Sequence, residues 1–415
     1  MNSPAHDDKL NPPVQDREKN RLAQRFLWVF SSFVLLIAFV VATVNLVAYR
    51  YMLSDDNQAI VQLLSGWGRI YKPILYDEIK PEIAVFGASW ARDAFDPLDT
   101  SRLLGRKVFN HGVSGGTAYE TRRFADSALD NPNLHAAIIN LNTFYREKNR
   151  ARFRYGFDES ILDVDADHQP NRFVGLRRAY SLALGGWAVG ANVKLISTIL
   201  ARDRGVSKPD YLDSYEQADL TRRNMTPTAR RIFPQPGQAS DSAPADTEVE
   251  DSTMQIEQPE LEIIIDGFCG KKVDIYAYFT PTHTRKQSCD PGASNELAAL
   301  EFLRHKQRSC DARIHYFDFA YPNAMTLEGV LTPVKSSHYY RPDGHPRPSA
   351  GLAMAASMFA RPFPADSSAL LAQDFGVDLL SHEDAEGWLL QRTARCQGDW
   401  GESGYSDFRA ALEKQ

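Results

Sequence analysis

Residues 82–90, EIAVFGASW, contain the pattern on which the predicted fold depends. Apolar residues run without interruption from Ile83 to Phe86, and Gly87 ends the run. A short apolar run that ends at a glycine is typical of a strand buried on both faces. Ser89 therefore follows the carboxyl end of a predicted strand.

Further strand-like and helix-like segments alternate along the chain. Four more predicted strands are Lys107–Phe109, Ala136–Leu141, Val273–Thr280 and Arg313–Phe319. Helical spacing of apolar residues occupies 118–129, 257–269, 294–308 and 349–360. Strands that alternate with helices predict a parallel sheet covered on both faces. The fold class is therefore α/β, with a three-layer domain around a five-stranded parallel sheet over residues 81–362.

The N-terminal part contains an uncharged apolar run at residues 26–49, FLWVFSSFVLLIAFVVATVNLVAY. As a helix it would extend roughly 36 Å, which exceeds the ~30 Å hydrocarbon core of a bilayer. The run is too long for the core of a signal peptide, and a buried core helix is the alternative interpretation. We predict an uncleaved transmembrane anchor whose partner is the lipid bilayer.

The charged residues on either side of this run predict its orientation. Five basic residues precede it: Lys9, Arg17, Lys19, Arg21 and Arg25. Arg50 alone follows, before Asp55 and Asp56. Because Lys and Arg are retained on the cytoplasmic side, residues 1–25 should form a cytoplasmic tail. We therefore expect a single-pass protein of the cytoplasmic membrane, with its bulk in the periplasm or outside the cell.

Four other segments complete the predicted domain organisation. They are a stalk at 50–80, a mostly helical insertion at 146–232, a flexible acidic loop at 234–260 and a C-terminal helical appendage at 363–415. Segment 179–201 is the nearest approach to a second spanning run, but Asn192, Lys194 and a glycine pair predict an amphipathic or buried helix instead.

Charge and cysteine content exclude some partners and sites. A net charge of −6 over 415 residues argues against a nucleic-acid partner. The four cysteines, Cys269, Cys289, Cys310 and Cys396, form no CxxC pair, and His111 and His283 lack metal-ligand spacing, so neither a metal nor a cofactor is expected. Export would expose these thiols to oxidation, which predicts at least one disulfide, with Cys289–Cys310 favoured.

Polar residues and glycines follow each predicted strand, where ligands gather in parallel sheets. Ser89 follows strand one, NHGVSGGT at 110–117 follows strand two, and Asn142 follows strand three. His283 follows strand four, and SHYYRPDGH at 337–345 follows strand five.

The order of these blocks over roughly residues 80–362 resembles the SGNH-hydrolase superfamily, which has a flavodoxin-like sheet. The resemblance implies that Ser89 is a nucleophile and His338 its base. It further implies an oxyanion hole made by Asn142 and by Gly115, with Gly112 as the alternative glycine. Such donors stabilise the charge that develops on the carbonyl oxygen.

The chain departs from the family pattern at three positions. Ala88 stands where the family usually has Asp, and Thr143 replaces the second polar residue of the third block. Lys335 stands where the triad carboxylate belongs, three residues before His338. Asp318 at the end of strand five is one substitute for that carboxylate, and a shifted pair of Asp343 with His345 is another.

Each of these residues also has a simpler interpretation. Ser89 suits a helix cap, the glycines suit a tight turn and Asn142 suits a turn position. His338 and His345 suit solvated surface positions, the latter more so. A basic run at 146–154 suits a solvated face, or a surface that attracts an anionic glycan.

The anchor and the SGNH-like blocks together are similar in layout to periplasmic polysaccharide O-acetyltransferases and to the D-alanine transfer protein of teichoic acids. This similarity implies serine-dependent acyl transfer or ester hydrolysis on an envelope polysaccharide, with a multi-span acyltransferase as a further partner. The alternative is an inactive SGNH-like domain that binds a glycan or serves as a scaffold in an envelope biosynthesis complex.

Overall fold

A computed structural model describes most of the predicted domain and the N-terminal helix. The described residues are 14–53, 68–144, 152–154, 156–186, 188–190, 192, 258–281, 293–320, 325, 339–340, 345–363 and 375–397.

Six strands form one sheet in the order β2-β1-β3-β4-β5-β6. They are β1 (Ile83–Phe86), β2 (Val108–Asn110), β3 (Ala136–Asn140), β4 (Asp274–Phe279), β5 (Ile314–Asp318) and β6 (Val377–Asp378). The first five strands are parallel, and β6 pairs antiparallel with β5. The predicted α/β class is confirmed, and the all-parallel sheet is corrected to a mixed one.

Ten helices accompany the sheet in the described part of the chain. They are α1 (Val14–Met52), α2 (Gly68–Ile79), α3 (Ser89–Ala94), α4 (Pro97–Leu104), α5 (Ala118–Ala128), α6 (Val174–Leu184), α7 (Gln258–Gly270), α8 (Ala293–Gln307), α9 (Pro348–Met358) and α10 (Ala385–Gln397). Short 3₁₀ helices occupy Leu141–Thr143 and Glu159–Ile161.

The sheet separates two hydrophobic cores because successive residues of a strand point to opposite faces. Ala84 and Phe86 of β1 belong to the core that α5, α7 and α8 cover. Ile83 and Val85 belong to the core that α3, α4 and α9 cover. Both faces of the strand are apolar, which explains its uninterrupted hydrophobic sequence.

Local signals explain where the helices beside the site begin and end. The Asp96 side chain accepts hydrogen bonds from the N–H groups of Leu98 and Asp99 and so caps α4, and Gly105 ends that helix at φ 68°. Thr117 and Glu120 form a reciprocal capping box at the start of α5. These caps satisfy N–H groups that a helix end leaves without partners.

The helix α1 contains the predicted anchor. Its segment Lys19–Tyr51 is long and apolar enough to cross a membrane, judged by length and composition. Its C-terminal end contacts the domain, since Ala48 and Tyr49 are buried in the first core.

Four predicted segments differ from the structure or lie partly outside it. Within the predicted stalk 50–80, α2 packs its Leu75 and Tyr76 into the first core. The described part of the insertion 146–232 contains α6 and one 3₁₀ turn, and the acidic loop lies outside the described residues except for 258–260, which begin α7. The C-terminal appendage supplies β6 in addition to the helix α10.

A disulfide joins Cys269 at the end of α7 to Cys310 after α8, with the Cα atoms 5.0 Å apart. The prediction of at least one disulfide is confirmed, and the favoured pair Cys289–Cys310 is wrong. The two helices cover the same face of the sheet, which brings their C-terminal ends together. Cys289 lies outside the described residues.

Candidate active site

Ser89 is the first residue of α3, directly after the turn that leaves β1. Gly87 makes this turn with φ 153°. A Cβ atom on Gly87 would lie 2.8 Å from Asn140 Cβ and 2.9 Å from Ala91 Cβ, so only glycine fits. Ala88 is the N-cap residue of α3, and its N–H donates to Thr143 Oγ1 at 3.0 Å. The Ser89 hydroxyl is therefore not used as the helix cap.

His345 is the partner of that hydroxyl. Its Nε2 atom lies 3.0 Å from Ser89 Oγ, and its ring meets Trp90 edge to face with centroids 6.3 Å apart. A histidine at this distance from a serine has the geometry of a general base and its nucleophile. The resemblance to the SGNH superfamily instead predicts His338 as the base, and that residue lies outside the described residues.

Backbone contacts around residue 345 fix the position of this histidine. Pro346 forms an antiparallel bridge with Tyr340. The Arg347 N–H donates to the carbonyl of Tyr339 at 2.7 Å, and the Arg347 Nε donates to the carbonyl of Tyr340 at 2.9 Å. Tyr339 and Tyr340 are themselves buried. These contacts hold in place the short segment before α9 that contains His345.

The helix α9 is in turn packed tightly against the end of α3. A Cβ atom built on Gly351 would lie 1.8 Å from the carbonyl oxygen of Ala94. The two backbones approach so closely that no side chain fits between them. This contact brings the start of α9, and with it His345, to the helix that begins with Ser89.

Asn142 lies in the 3₁₀ helix that follows β3, the neighbour of β1 in the sheet. Its Oδ1 accepts a hydrogen bond from the Thr280 N–H at 2.7 Å and a longer one from Asn140 Nδ2 at 3.4 Å. These bonds fix the amide orientation, and the amide NH₂ group donates no hydrogen bond within the described part of the chain. The orientation of the Asn142 side chain is therefore set through its Oδ1 atom.

The loop after β2 lies beside the Ser89 turn. The Val113 N–H donates to the carbonyl of Gly87 at 3.3 Å. A Cβ on Gly116 would lie 3.3 Å from Ala88 Cα. Gly115 adopts φ 59°, a left-handed conformation, and Gly112 has no room for a side chain because its Cβ would lie 2.5 Å from the Arg92 nitrogen. Both candidate glycines thus belong to a loop packed on the first block.

Asn110 is a positioning residue that sequence analysis missed. Its Nδ2 donates to the carbonyls of Ala91, Arg92 and Phe95 at 2.7–3.1 Å, and its Oδ1 accepts from the Gly112 N–H at 2.8 Å. The buried amide therefore ties the C-terminal end of α3 to the loop after β2. A polar residue at the end of an apolar strand, directly before a glycine-rich block, was the available signal.

Two buried basic side chains, Lys72 and Arg69, hold the same loop. Lys72 Nζ donates to the carbonyls of Asn110 at 2.7 Å and Gly112 at 2.5 Å. Complete burial lowers the pKa of Lys72 well below its usual value, and the guanidinium of Arg92 acts in the same direction. Arg69 forms a bidentate pair with Glu120 at 2.9 Å and donates to the carbonyl of Ser114. The predicted stalk region thus supports the site through α2.

Of the two aspartates predicted to supply the triad carboxylate, the structure describes one. Asp318 ends β5, three strand spacings from β1, which corresponds to about 14 Å. Its carboxylate accepts hydrogen bonds from Ala320 N–H and from Trp388 Nε1, at 2.9 Å and 3.0 Å. Asp343 and Lys335 lie outside the described residues.

His111 is close in sequence to the site, but its side chain packs in the hydrophobic core. Its ring lies among the rings of Tyr76, Phe86, Phe109 and Phe124, with centroid distances of 4.7–5.6 Å. Neither ring nitrogen has a hydrogen-bond partner within the described residues. Burial lowers the pKa of His111 well below its usual value, and Lys72 adds to the effect.

The strand order brings the polar groups together at one place. In the order β2-β1-β3-β4-β5, the chain adds β2 on one side of β1 and β3, β4 and β5 on the other, so the direction of strand addition reverses beside β1. Ligands of doubly wound sheets bind at such a switch point, beyond the carboxyl ends of the strands. Ser89 follows β1 and Asn142 follows β3, so both flank this point. Neither a model of a known protein family nor a curated protein matches this chain.

Proposed function

We propose that this chain is a membrane-anchored, extracytoplasmic SGNH-like enzyme that transfers acyl groups to, or hydrolyses esters on, a cell-envelope polysaccharide. The observation that carries the proposal is the 3.0 Å contact between Ser89 Oγ and His345 Nε2 at the switch point of the sheet. The order of the blocks, which resembles the SGNH-hydrolase superfamily, supports it.

In the first half-reaction Ser89 Oγ attacks the carbonyl carbon of an acyl ester. His345 Nε2 takes the hydroxyl proton, and the tetrahedral oxyanion forms. Collapse of this intermediate breaks the bond to the leaving alkoxide, which receives the proton from His345. The acyl group remains on Ser89 as an ester.

Three donors are proposed for the oxyanion. They are the N–H of Ser89 in the first turn of α3, the N–H of Gly115 and the amide of Asn142. The N–H groups of a first helical turn lack partners within the helix, and the Asn142 amide is oriented by Thr280. Removal of one such donor typically costs about 10²–10³ in rate.

In the second half-reaction a hydroxyl group attacks the acyl-serine while His345 takes its proton and returns it to Ser89 Oγ. A sugar hydroxyl as the attacking group gives acyl transfer, and water gives hydrolysis. Exclusion of water from the acyl-enzyme would decide between the two outcomes.

A carboxylate is still needed to orient the imidazole and to balance the imidazolium charge. We propose Asp343, two residues before His345, for this role. Asp318 is the weaker candidate, since hydrogen bonds from Ala320 and Trp388 already engage its carboxylate. His338 is retained as the alternative base.

The proposed location rests on two independent features. Basic residues concentrate before the apolar run 26–49 of α1, which favours an N-terminus inside the cell. The Cys269–Cys310 disulfide favours an oxidising compartment for the domain. An anchored domain of this kind requires an acyl donor at the membrane, for which a multi-span acyltransferase is the proposed partner.

Trapping of the acyl-enzyme tests the proposal. Full-length protein incubated with an activated acetyl ester and quenched in acid should carry an acetyl group on the peptide that contains Ser89. Ser89→Ala should abolish the adduct, and both His345→Ala and Asp343→Asn should greatly slow its formation. Ser309→Ala, which changes an exposed serine, should acylate as the wild type does.

The absence of any Ser89 adduct from folded wild-type protein would contradict the enzymatic proposal. That result, with unchanged thermal unfolding, would favour the alternative of a non-catalytic domain that binds a glycan or assembles an envelope complex.

A further inference from the structure

The helix α6 is fastened to the C-terminal end of α1. Asn45 Nδ2 donates to the carbonyl of Ala183 at 2.8 Å, and Asn192 Nδ2 donates to Asn45 Oδ1 at 2.8 Å. The Tyr71 hydroxyl donates to Asn192 Oδ1 at 3.2 Å. Asn45 and Asn192 are both buried. A polar side chain on an apolar spanning helix is usually paired in this way with another part of the protein.

This contact fixes the position of the C-terminal end of α6 along the axis of α1. Asn45 precedes Tyr49, the last residue of that run, by four positions, which is about 6 Å along the helix axis. The C-terminal end of α6 therefore lies beside the last turn of the spanning segment, at the level where hydrocarbon meets headgroups.

The helix α6 is also fastened to the domain. Arg178 Nη2 donates to Asp163 at 2.9 Å, and its Nη1 pairs with Asp77 of α2. Leu182 is buried in the first core. These contacts fix the rotation of α6 about its own axis, so the face opposite Arg178 and Leu182 cannot pack against the domain.

That opposite face is apolar and exposed. Outside α1, seven large apolar side chains are strongly exposed in the described residues, and five of them lie between 173 and 189. The five are Phe173, Leu176, Tyr180, Leu184 and Val189, and Leu176 is the most exposed at 71%. Spacings of three and four residues from Phe173 to Leu184 place these side chains along one stripe of the helix.

The charges of the segment suit a phospholipid surface. Arg172 and Arg177 are exposed beside the stripe, and residues 171–190 contain no Asp or Glu. Arginine side chains at such a position reach the phosphate groups while their stems cover apolar surface.

We propose that residues 173–186 and 188–190 lie in the interface of the bilayer that α1 spans, in the leaflet at the C-terminal end of α1. Continuity with the spanning helix selects lipid as the occupant, since the C-terminal end of the stripe lies beside the last turn of the apolar run of α1. The domain then contacts the membrane at two places and holds a fixed orientation above it. The inference depends on α1 spanning the membrane and is independent of chemistry at Ser89.

Photo-cross-linking in the full-length chain tests the inference. A diazirine amino acid replaces Leu176, and the protein is reconstituted in nanodiscs of phosphatidylethanolamine and phosphatidylglycerol. Leu390 on α10 is the matched control because it is an exposed leucine remote in sequence from α6, with 57% of its surface exposed. The same diazirine amino acid at Phe39, in the apolar run of α1, tests whether that helix contacts lipid.

We expect lipid adducts at 176 and 39, with 176 several-fold above 390. An adduct at 176 no greater than at 390, while 39 reacts with lipid, would overturn the interfacial placement alone. Cross-linking of 176 to a second copy or to another protein in native membranes would also overturn it. Failure of 39 to react with lipid would overturn the spanning helix and the inference together.

Discussion

At the scale of single residues, His111 makes the stability of the domain depend on pH. Its folded-state pKa is lowered by burial, so the unfolded chain binds a proton below about pH 6.5 that the folded chain does not. The contribution of His111 to stability is present above that pH and is lost as the pH falls. The loss approaches about 1.4 kcal/mol for each pH unit.

Replacement of His111 by phenylalanine should remove this dependence, because four aromatic rings already surround the site. Thermal unfolding at neutral pH and about one unit below pH 6.5 is the measurement. The wild-type midpoint should fall more than that of His111→Phe. His135→Phe, which changes an exposed histidine, should behave as the wild type, and equal falls in all three proteins would refute this role.

The sequence predicts the position of a side chain in the fold where that side chain follows its strand directly. Ser89 and Asn142 come within three residues of β1 and β3, so strand prediction alone locates them at the switch point. The histidine could not be chosen in this way. The position of His345 beside Ser89 depends on the bridge between Tyr340 and Pro346 and on the packing of α9 against α3, and the second of these joins residues distant in sequence.

At the scale of elements, the contact between α9 and α3 should be critical for the site. Gly351→Ala places a methyl group 1.8 Å from the carbonyl oxygen of Ala94, so the helices must separate. Overpacking of this kind costs roughly 1–3 kcal/mol. The separation should also withdraw His345 from Ser89, and acylation of Ser89 should fall further than the loss of stability explains.

Gly270→Ala is the matched control for this substitution. A Cβ at Gly270, the last residue of α7, meets no atom within 4 Å. Its melting temperature and acylation rate should stay close to those of the wild type. Wild-type acylation in Gly351→Ala would show that α9 does not position the histidine.

The elements differ in how well local sequence predicts them. Five strands and the four helices at 118–129, 257–269, 294–308 and 349–360 were predicted because each carries an apolar pattern of its own. The strand β6 was missed because its two residues, Val377 and Asp378, acquire strand structure only by pairing with β5. The helix α2 contains Pro73 and two basic residues, which the structure buries. Its sequence therefore resembles a polar stalk, although the helix packs into the core.

At the scale of the whole molecule, the prediction concerns topology. A reporter that is active only outside the cytoplasm, fused after residue 60, should be active, and a fusion before α1 should be inactive. The basic residues before the apolar run 26–49 are the physical reason. The full-length protein should remain in the membrane fraction, and a shortened soluble product would contradict the uncleaved anchor.

The central claim is that Ser89 is a nucleophile activated by His345, and labelling with a serine-directed fluorophosphonate tests it most directly. Folded full-length protein should bind one equivalent at Ser89, and Ser89→Ala should bind none. His345→Ala should label at least about 10²-fold more slowly, while His338→Ala and Ser309→Ala should keep the wild-type rate. Undiminished labelling of Ser89→Ala, or no labelling of the folded wild type, would contradict the claim.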